Sequence, residues 1–184
     1  MYVEERGSKT KPAIVFIHGG GVAGWMWRQQ LEHFADYYCL VPDLPEHGRS
    51  IDLEPLELRD CAQCIADLIT AKVPSGKAHV VGHSLGGKVV VELLALRPEV
   101  VDRAVAASAL FGLPALLNLF HKPWIYRLAT AMLKRDALLA LTAKQLKFPD
   151  EFYLENGLNA LRRLSPETMF RIFDQLVQYQ SIPQ

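Results

Sequence analysis

The chain has 184 residues, of which 50% are hydrophobic and 22% are charged, and its 20 basic residues balance its 20 acidic ones. This length suffices for one domain with a sizeable core and is marginal for two. The balanced charge argues against a nucleic-acid-binding surface, and no apolar run approaches the roughly 20 residues that a membrane span needs.

The first half of the chain alternates predicted strands with predicted helices. Strands are predicted at 2–6, 13–17, 37–41, 78–81 and 100–107, and helices at 25–34, from 55 to the Pro74 turn, and from Ser84 to the residues before Pro98. The run 13–17 is continuous and β-branched or aromatic, which is typical of a strand that is buried on both faces. This order predicts an α/β fold with a mostly parallel sheet and helices on both faces.

The second half has a different character, because residues 111–180 contain no convincing strand. Helices rich in Leu, Ala and Phe are predicted near 114–120, 123–134, 136–147, 150–162 and 166–180. Ser165-Pro166-Glu167 is a typical helix start, with serine as the N-cap and proline at the first helical position.

The N-terminus and the cysteines indicate a cytoplasmic protein. Met1–Arg6 is charged from its start, unlike a signal peptide, and three cysteines do not form a disulfide framework. Cys61 and Cys64 fall in the middle of an amphipathic helix, so they are interpreted as core residues rather than a redox pair. The strand–turn boundary between His79 and His83 prevents a shared helical face. Neither a metal site nor a cofactor is predicted.

Gly82-His83-Ser84-Leu85-Gly86 lies between a predicted strand and a predicted helix and matches Gly-x-Ser-x-Gly. In this motif, the nucleophile elbow, the serine sits on a sharp turn with its hydroxyl exposed. The glycines remove Cβ atoms where the two backbones would collide. The N-terminus of the following helix offers free N–H groups and partial positive charge to an oxyanion. Ser84 is therefore the predicted nucleophile.

A second glycine-rich loop, His18-Gly19-Gly20-Gly21, follows an earlier strand. Its amides could join that of Leu85 in an oxyanion hole. A rival interpretation exists, because Gly19 to Gly24 also fits G-x-G-x-x-G, with Asp43 about 20 residues later as an NAD(P) site requires. That oxidoreductase hypothesis is the weaker one, since tryptophans crowd the helix start and the elbow stays unexplained.

Together these motifs, with the segment Asp43–Ser50, resemble the α/β-hydrolase family and its lidded esterase, lipase and haloperoxidase-like branch. The resemblance covers His18 to about Ser108 and implies acyl transfer from a small ester or related substrate to Ser84 and then to water. It implies oxyanion contacts from Gly20 and Leu85. The resemblance also suggests a substrate pocket formed by Gly19, Trp25, His83, Phe111 and Trp124. Trp25, Phe111 and Trp124 are better explained as core residues. The family usually has glycine where this chain has Glu46, a departure that affects loop shape.

The resemblance also implies a domain plan. Residues 1–110 are expected to be the N-terminal part of the hydrolase core, 111–180 a helical cap over the active site, and 181–184 the start of the C-terminal core, whose strands are absent. The family places its acid and histidine after later strands, so both are expected beyond residue 184. The alternative is a non-catalytic, truncated domain. A sheet without its last strands exposes an edge, which predicts self-association.

The histidines that the chain does contain have other expected roles. His18 is expected to shape the oxyanion loop, as the resemblance implies. His47 belongs to the Asp43–Ser50 loop and is expected to form hydrogen bonds with the backbone. His83 is expected to point into the fold. His121 is the only histidine after Ser84, and it lies inside the predicted cap. A complete triad is therefore not expected within the 184 residues.

Overall fold

The computed structural model describes residues 1–53, 57–109, 121–135 and 148–178, with side chains through residue 175. The chain divides into two compact units, a sheet unit that holds Met1–Leu110 and a helical unit that holds Phe111–Gln180. The predicted start of a C-terminal core at 181–184 lies outside the described residues, as does Phe111.

The sheet unit is built on five strands. They are β1 (Val3–Arg6), β2 (Ala13–Ile17), β3 (Tyr38–Pro42), β4 (Ala78–His83) and β5 (Val101–Ala107). The strand order is β1-β3-β2-β4-β5, with β1 antiparallel to β3 and all other pairs parallel. The predicted fold class, a mostly parallel α/β sheet, is confirmed.

The centre of the sheet is the core of this unit. Every residue of β2 and β3 is buried, as continuous apolar runs predict for central parallel strands. Phe16 packs against Trp27 with ring centroids 5.2 Å apart, and Leu31 belongs to the same cluster. The carboxyl ends of β2, β3 and β4 meet at one sheet edge, which is where the predicted site residues follow in sequence.

Three helices belong to the sheet unit: α1 (Arg28–His33), α2 (Leu58–Lys72) and α3 (Leu85–Leu96). The helix predicted from Trp25 onward is partly wrong, because Gly24–Trp27 forms a 3-10 turn before the six-residue α1. The backbone N–H of Gly24 is bound by the Asp43 side chain, so this segment is held by a loop as well as by its own helical bonds. Two short 3-10 turns, Gly48–Ser50 and Pro98–Val100, complete the unit.

The described helical unit contains α4 (Pro123–Leu133), α5 (Glu151–Arg163) and α6 (Pro166–Gln178). The predicted cap at Ser165 is confirmed, since its hydroxyl accepts a hydrogen bond from the N–H of Thr168 at 2.9 Å. The predicted helices 114–120 and 136–147 lie outside the described residues. Among the helices that are described, none has the length and apolar character needed to cross a membrane.

Among the described strands, β5 is an edge strand of the sheet. Most of its residues are exposed, and Val105 retains 54% of its accessible surface. Because an edge strand offers unpaired N–H and C=O groups to another chain, self-association through this edge stays a prediction.

Candidate active site

Ser84 occupies the turn that joins β4 to α3. Its backbone has φ 52° and ψ −112°, a conformation that is costly for a residue with a side chain. Its N–H donates a hydrogen bond to the carbonyl oxygen of Ala107 at 2.8 Å, which ties the turn to the end of β5. The side chain is only half-buried. Ser84 is therefore partly accessible to solvent in this turn.

The two motif glycines let the strand and the helix approach each other. A Cβ atom on Gly82 would lie 2.2 Å from the carbonyl oxygen of Gly86. A Cβ atom on Gly86 would meet the carbonyl oxygens of Ile17 and His18. Both collisions involve backbone atoms that cannot move without disrupting the sheet, so glycine is a steric requirement at both positions.

Leu85 is the first residue of α3, and the first N–H groups of a helix have no partner within it. The N–H of Lys88 makes the first helical bond, 3.2 Å from the carbonyl oxygen of Ser84. Lys88 is itself fully buried, and burial lowers its pKa. The N–H of Leu85 thus lies at the positive end of α3, directly after the proposed nucleophile.

The segment 18–24, here called the glycine loop, lies against the elbow. A Cβ atom on Gly19 would be 3.1 Å from Nδ1 of His83 and 3.5 Å from Cβ of Ser84. The N–H of Gly21 donates to His47 and is not available to a substrate. Gly20, which is half-buried, remains the candidate donor from this loop.

The segment 43–50, here called the acid loop, binds the glycine loop through side-chain acceptors. Nε2 of His18 accepts from the N–H of Leu44 at 2.9 Å, and Nε2 of His47 accepts from the N–H of Gly21 at 3.0 Å. Both bonds join residues that are 26 positions apart in sequence. The two loops therefore form one hydrogen-bonded assembly beside Ser84.

His18 is held in one neutral form. Because its Nε2 accepts from an N–H, its proton is on Nδ1, which donates to the carbonyl oxygen of Gly19 at 2.7 Å. Burial, with a smaller contribution from the nearby His47, lowers the pKa of His18 to about 3. His18 thus shapes the loop, in agreement with its expected role, and carries no charge near neutral pH.

Asp43 has a structural role that the local motifs did not predict. One carboxylate oxygen accepts from the N–H of Gly24 at 2.7 Å, and the other accepts from the N–H of Arg49 at 2.8 Å. A ribose-binding carboxylate must instead face the ligand. These bonds disfavour the dinucleotide interpretation of Gly19 to Gly24. The only sequence signal for this role was the position of Asp43 at the end of a strand.

The remaining predicted pocket residues are less closely associated. His83 is half-buried next to Gly19, and Trp25 is half-buried in the Gly24–Trp27 turn. Trp124 is on α4 of the helical unit and is 64% exposed, so the expectation that it is a core residue is wrong. Its amphipathic helix left the choice of buried face open. Assignment of these residues to a substrate pocket stays a prediction.

His121 belongs to a separate cluster within the helical unit. Its Nε2 lies 2.9 Å from a carboxylate oxygen of Asp174, and its Nδ1 lies 3.0 Å from the hydroxyl of Tyr126. Its ring stacks on that of Phe170 with centroids 4.4 Å apart and planes 8° from parallel. Both ring nitrogens are thus already engaged inside this unit.

The cysteines give no support to redox chemistry. Cys39, Cys61 and Cys64 are free thiols. Burial raises the pKa of Cys61 to about 12, so its reactive thiolate form is not populated near neutral pH. Cys61 is a buried core residue as expected, whereas Cys64 is half-buried. Within the described part of the chain, no cluster of three or more potential ligands could hold a metal ion.

Comparison with known proteins identifies the relatives of this chain. The chain is 41% identical over 93 residues to an AB hydrolase superfamily protein of Gibberella zeae, a match that covers 48% of this chain and 32% of that protein. It is 36% identical over 102 residues to a pimeloyl-[acyl-carrier protein] methyl ester esterase of Chromobacterium violaceum, covering 55% of this chain and 37% of the esterase. The matched part is thus about a third of each relative's length.

A solved structure has the same fold. A hydrolase from Pseudomonas aeruginosa PA01 superposes with a TM-score of 0.70 at 20% identity, over 95% of this chain and 67% of that one. The model of the alpha/beta hydrolase family matches residues 14–182, which includes both glycine motifs and the acid loop. Because that match covers most of the sequence, the chain belongs to the alpha/beta hydrolase family.

Proposed function

We propose that this chain provides the nucleophile and the oxyanion hole of a serine hydrolase that cleaves a carboxylic ester or a related acyl compound. The observation that carries the proposal is the strained, half-buried Ser84 at the N-terminus of α3, with Gly19 against it. A positive φ in a non-glycine residue costs on the order of 1–3 kcal/mol and persists where the surrounding structure imposes it. The esterase relative supports an ester as the substrate.

In the proposed reaction, the Ser84 hydroxyl oxygen attacks the acyl carbon while a base takes its proton. The carbonyl electron pair moves to oxygen, and the N–H groups of Leu85 and Gly20 bind the resulting oxyanion. Collapse of this intermediate restores the carbonyl and expels the alcohol with the proton from the base. Water then cleaves the acyl-enzyme by the same route and regenerates Ser84.

The base and its orienting acid are proposed to lie beyond residue 184. Both nitrogens of His121 bind Tyr126 and Asp174 within the helical unit, which disfavours His121 as the base. The roles of residues 111–180 as a cap, and of Gly19, Trp25, His83, Phe111 and Trp124 as a substrate pocket, belong to the same proposal. So does a cytoplasmic location.

The test is labelling by a fluorophosphonate, which forms a bond from the serine oxygen to phosphorus and releases fluoride. The 184-residue chain and a chain continued with whatever sequence follows Gln184 in its gene are compared, each with a Ser84→Ala variant. Ser108→Ala is the matched control, since Ser108 is an exposed serine that also has positive φ. We expect labelling of the continued chain and of its Ser108→Ala variant, and none after Ser84→Ala.

The other outcomes discriminate among the alternatives. Labelling of the 184-residue chain at Ser84 would require a base within these residues, contrary to the proposal. Labelling that survives Ser84→Ala would exclude Ser84 as the nucleophile. No labelling in either chain would favour the non-catalytic domain.

A further inference from the structure

The acid loop contributes a histidine to the glycine loop at the position next to the proposed oxyanion donor. His47 is buried, and its Nε2 lies 3.0 Å from the backbone nitrogen of Gly21. Gly21 has φ 76°, a left-handed conformation that turns the loop at this point. The peptide group that carries the Gly21 N–H also carries the carbonyl of Gly20. A bond to this N–H therefore fixes the peptide plane directly after Gly20.

Only one protonation state of His47 fits this arrangement. The Gly21 N–H can only donate, so Nε2 must be the unprotonated nitrogen. The ring proton is then on Nδ1, which donates to the carbonyl oxygen of Pro45 at 2.8 Å. A protonated ring would direct an N–H at the Gly21 N–H. Protonation therefore breaks this bond and leaves two donors facing each other.

The groups around His47 shift its pKa in both directions. Burial lowers the pKa of His47, and its bond to Pro45 together with the charges of Glu46 and Asp43 raises it, so that the net direction is downward. The other facing group is the ring of His18, with its centroid 5.1 Å away. His18 remains neutral because burial also lowers its own pKa. His47 is thus neutral near pH 7 and becomes charged only in acid.

We propose that neutral His47 is a positioning residue for the oxyanion hole: it accepts the Gly21 N–H and so orients the Gly20–Gly21 segment for binding of the oxyanion by the Gly20 N–H. This inference rests on the proposed function, in which Gly20 is an oxyanion donor. It also means that activity should be lost in acid for a reason other than protonation of the catalytic base.

Two variants separate this role from simple packing. His47→Ala removes the acceptor, whereas His47→Gln supplies an amide oxygen that has about the reach of Nε2 and does not titrate in acid. His33→Ala is the matched control, since His33 is an exposed histidine on α1 of the same unit. The first readout is hydrogen exchange of the Gly21 amide in the full chain, measured by NMR from pH 7 to pH 4. The second is the rate of Ser84 modification by the fluorophosphonate in the chain continued beyond Gln184, the form that the proposed function expects to be labelled.

We expect the Gly21 amide to exchange about tenfold or more faster in His47→Ala at pH 7 and to stay protected in His47→Gln. In the unsubstituted chain, this protection should be lost as acid protonates His47, and His47→Gln should retain it at the same pH. The rate of Ser84 modification should fall by about 10-fold to 100-fold in His47→Ala, because removing an oxyanion donor outright costs 100-fold to 1,000-fold. His47→Gln should recover most of that loss.

Equal Gly21 exchange in the unsubstituted chain and His47→Ala would overturn the inference. So would a slow Ser84 modification that His47→Gln fails to restore, since an acceptor alone would then be insufficient. If the unsubstituted chain continued beyond Gln184 is not labelled at all, the proposed function fails. In that case, hydrogen exchange alone decides the role of His47. The decisive observation is whether the Gly21 amide stays protected in acid in His47→Gln.

Discussion

Two histidines of the sheet unit and one of the helical unit are bound in opposite ways. In the sheet unit, His18 and His47 accept hydrogen bonds from backbone N–H groups and must be neutral to do so. In the helical unit, His121 faces the carboxylate of Asp174 and the hydroxyl of Tyr126. A charged His121 can donate from both nitrogens to these oxygens. Acid therefore removes the contacts that His18 and His47 make with these backbone N–H groups.

The largest expected effect is the loss of stability of the sheet unit in acid. The pKa of His18 is about 3 in the folded chain against 6.5 ordinarily, so the unfolded chain binds more protons between these values. The free energy of unfolding must therefore fall as the pH drops from 6.5 to 3, by on the order of 4 kcal/mol from His18 alone.

Urea unfolding from pH 7 to pH 4 measures this loss. In a Trp124→Phe background, the remaining tryptophans, Trp25 and Trp27, both lie in the sheet unit, so their fluorescence reports on that unit. His18→Gln keeps an acceptor without a titrating ring and should flatten the pH dependence, whereas His33→Gln should not change it. The prediction fails if the profiles of the His18→Gln and unsubstituted chains are parallel.

The next effect compares one glycine from each unit. A Cβ on Gly82 would collide with the backbone of Gly86, whereas a Cβ on Gly157 would come within 2.5 Å of the Phe148 ring, a side chain that can rotate away. Gly157 is also inside α5, where alanine gains about 1 kcal/mol of helix propensity. We expect Gly82→Ala to cost more than about 3 kcal/mol or to prevent folding, and Gly157→Ala to change stability by less than about 1 kcal/mol.

Urea unfolding of the two alanine variants side by side tests the difference. A well-folded Gly82→Ala chain of unchanged stability would show that the close approach of β4 and α3 is not required. In that case, the steric account of the elbow would have to be abandoned.

These elements differ in how far the sequence predicted them. The strand Ala13–Ile17 and the turn at Ser84 were predicted because each is determined by neighbouring residues, through apolar runs and close-packed glycines. The bond between His47 and Gly21 joins residues 26 apart, and the one between His121 and Asp174 joins residues 53 apart. Local sequence patterns do not predict which distant residues will form a hydrogen bond.

The faces of amphipathic helices illustrate the same limit. The periodicity of α4 predicts a helix, and the helix is present. Which of its apolar residues are buried depends on the elements that pack against it, and these are not encoded in the local pattern. The exposed Trp124 is the consequence.

A smaller effect is expected in the His121 cluster. Asp174 is half-buried and binds His121, whereas Glu167 on the same helix is more exposed and lies 3.7 Å from Arg127. Asp174→Ala should destabilise the helical unit by about 1–2 kcal/mol, because it leaves a nitrogen of the half-buried imidazole of His121 without its acceptor. Glu167→Ala should cost about 0.5 kcal/mol or less, as is typical of exposed pairs. Hydrogen exchange over 121–135 and 166–178 measures both, and equal costs would contradict the assigned role of Asp174.

The smallest expected effect is a gain of stability in the acid loop. Glu46 has φ 64°, which favours glycine, the residue that the family usually carries here. Glu46→Gly should relieve about 1–2 kcal/mol of left-handed strain and lose about 0.5–1 kcal/mol to the freer unfolded chain, for a net gain of at most about 1.5 kcal/mol. Glu57→Gly, at a residue with φ −71°, is the control and should not stabilise the chain.

The same substitution sharpens the contrast between the two kinds of histidine site. The charge of Glu46 raises the pKa of His47, so Glu46→Gly should lower that pKa further. Protection of the Gly21 amide should then persist to more acidic pH than in the unsubstituted chain. Because His121 belongs to the other unit, hydrogen exchange over 121–135 should be unchanged. A gain of stability without a shift in the Gly21 profile would mean that Glu46 strains the loop but does not influence His47.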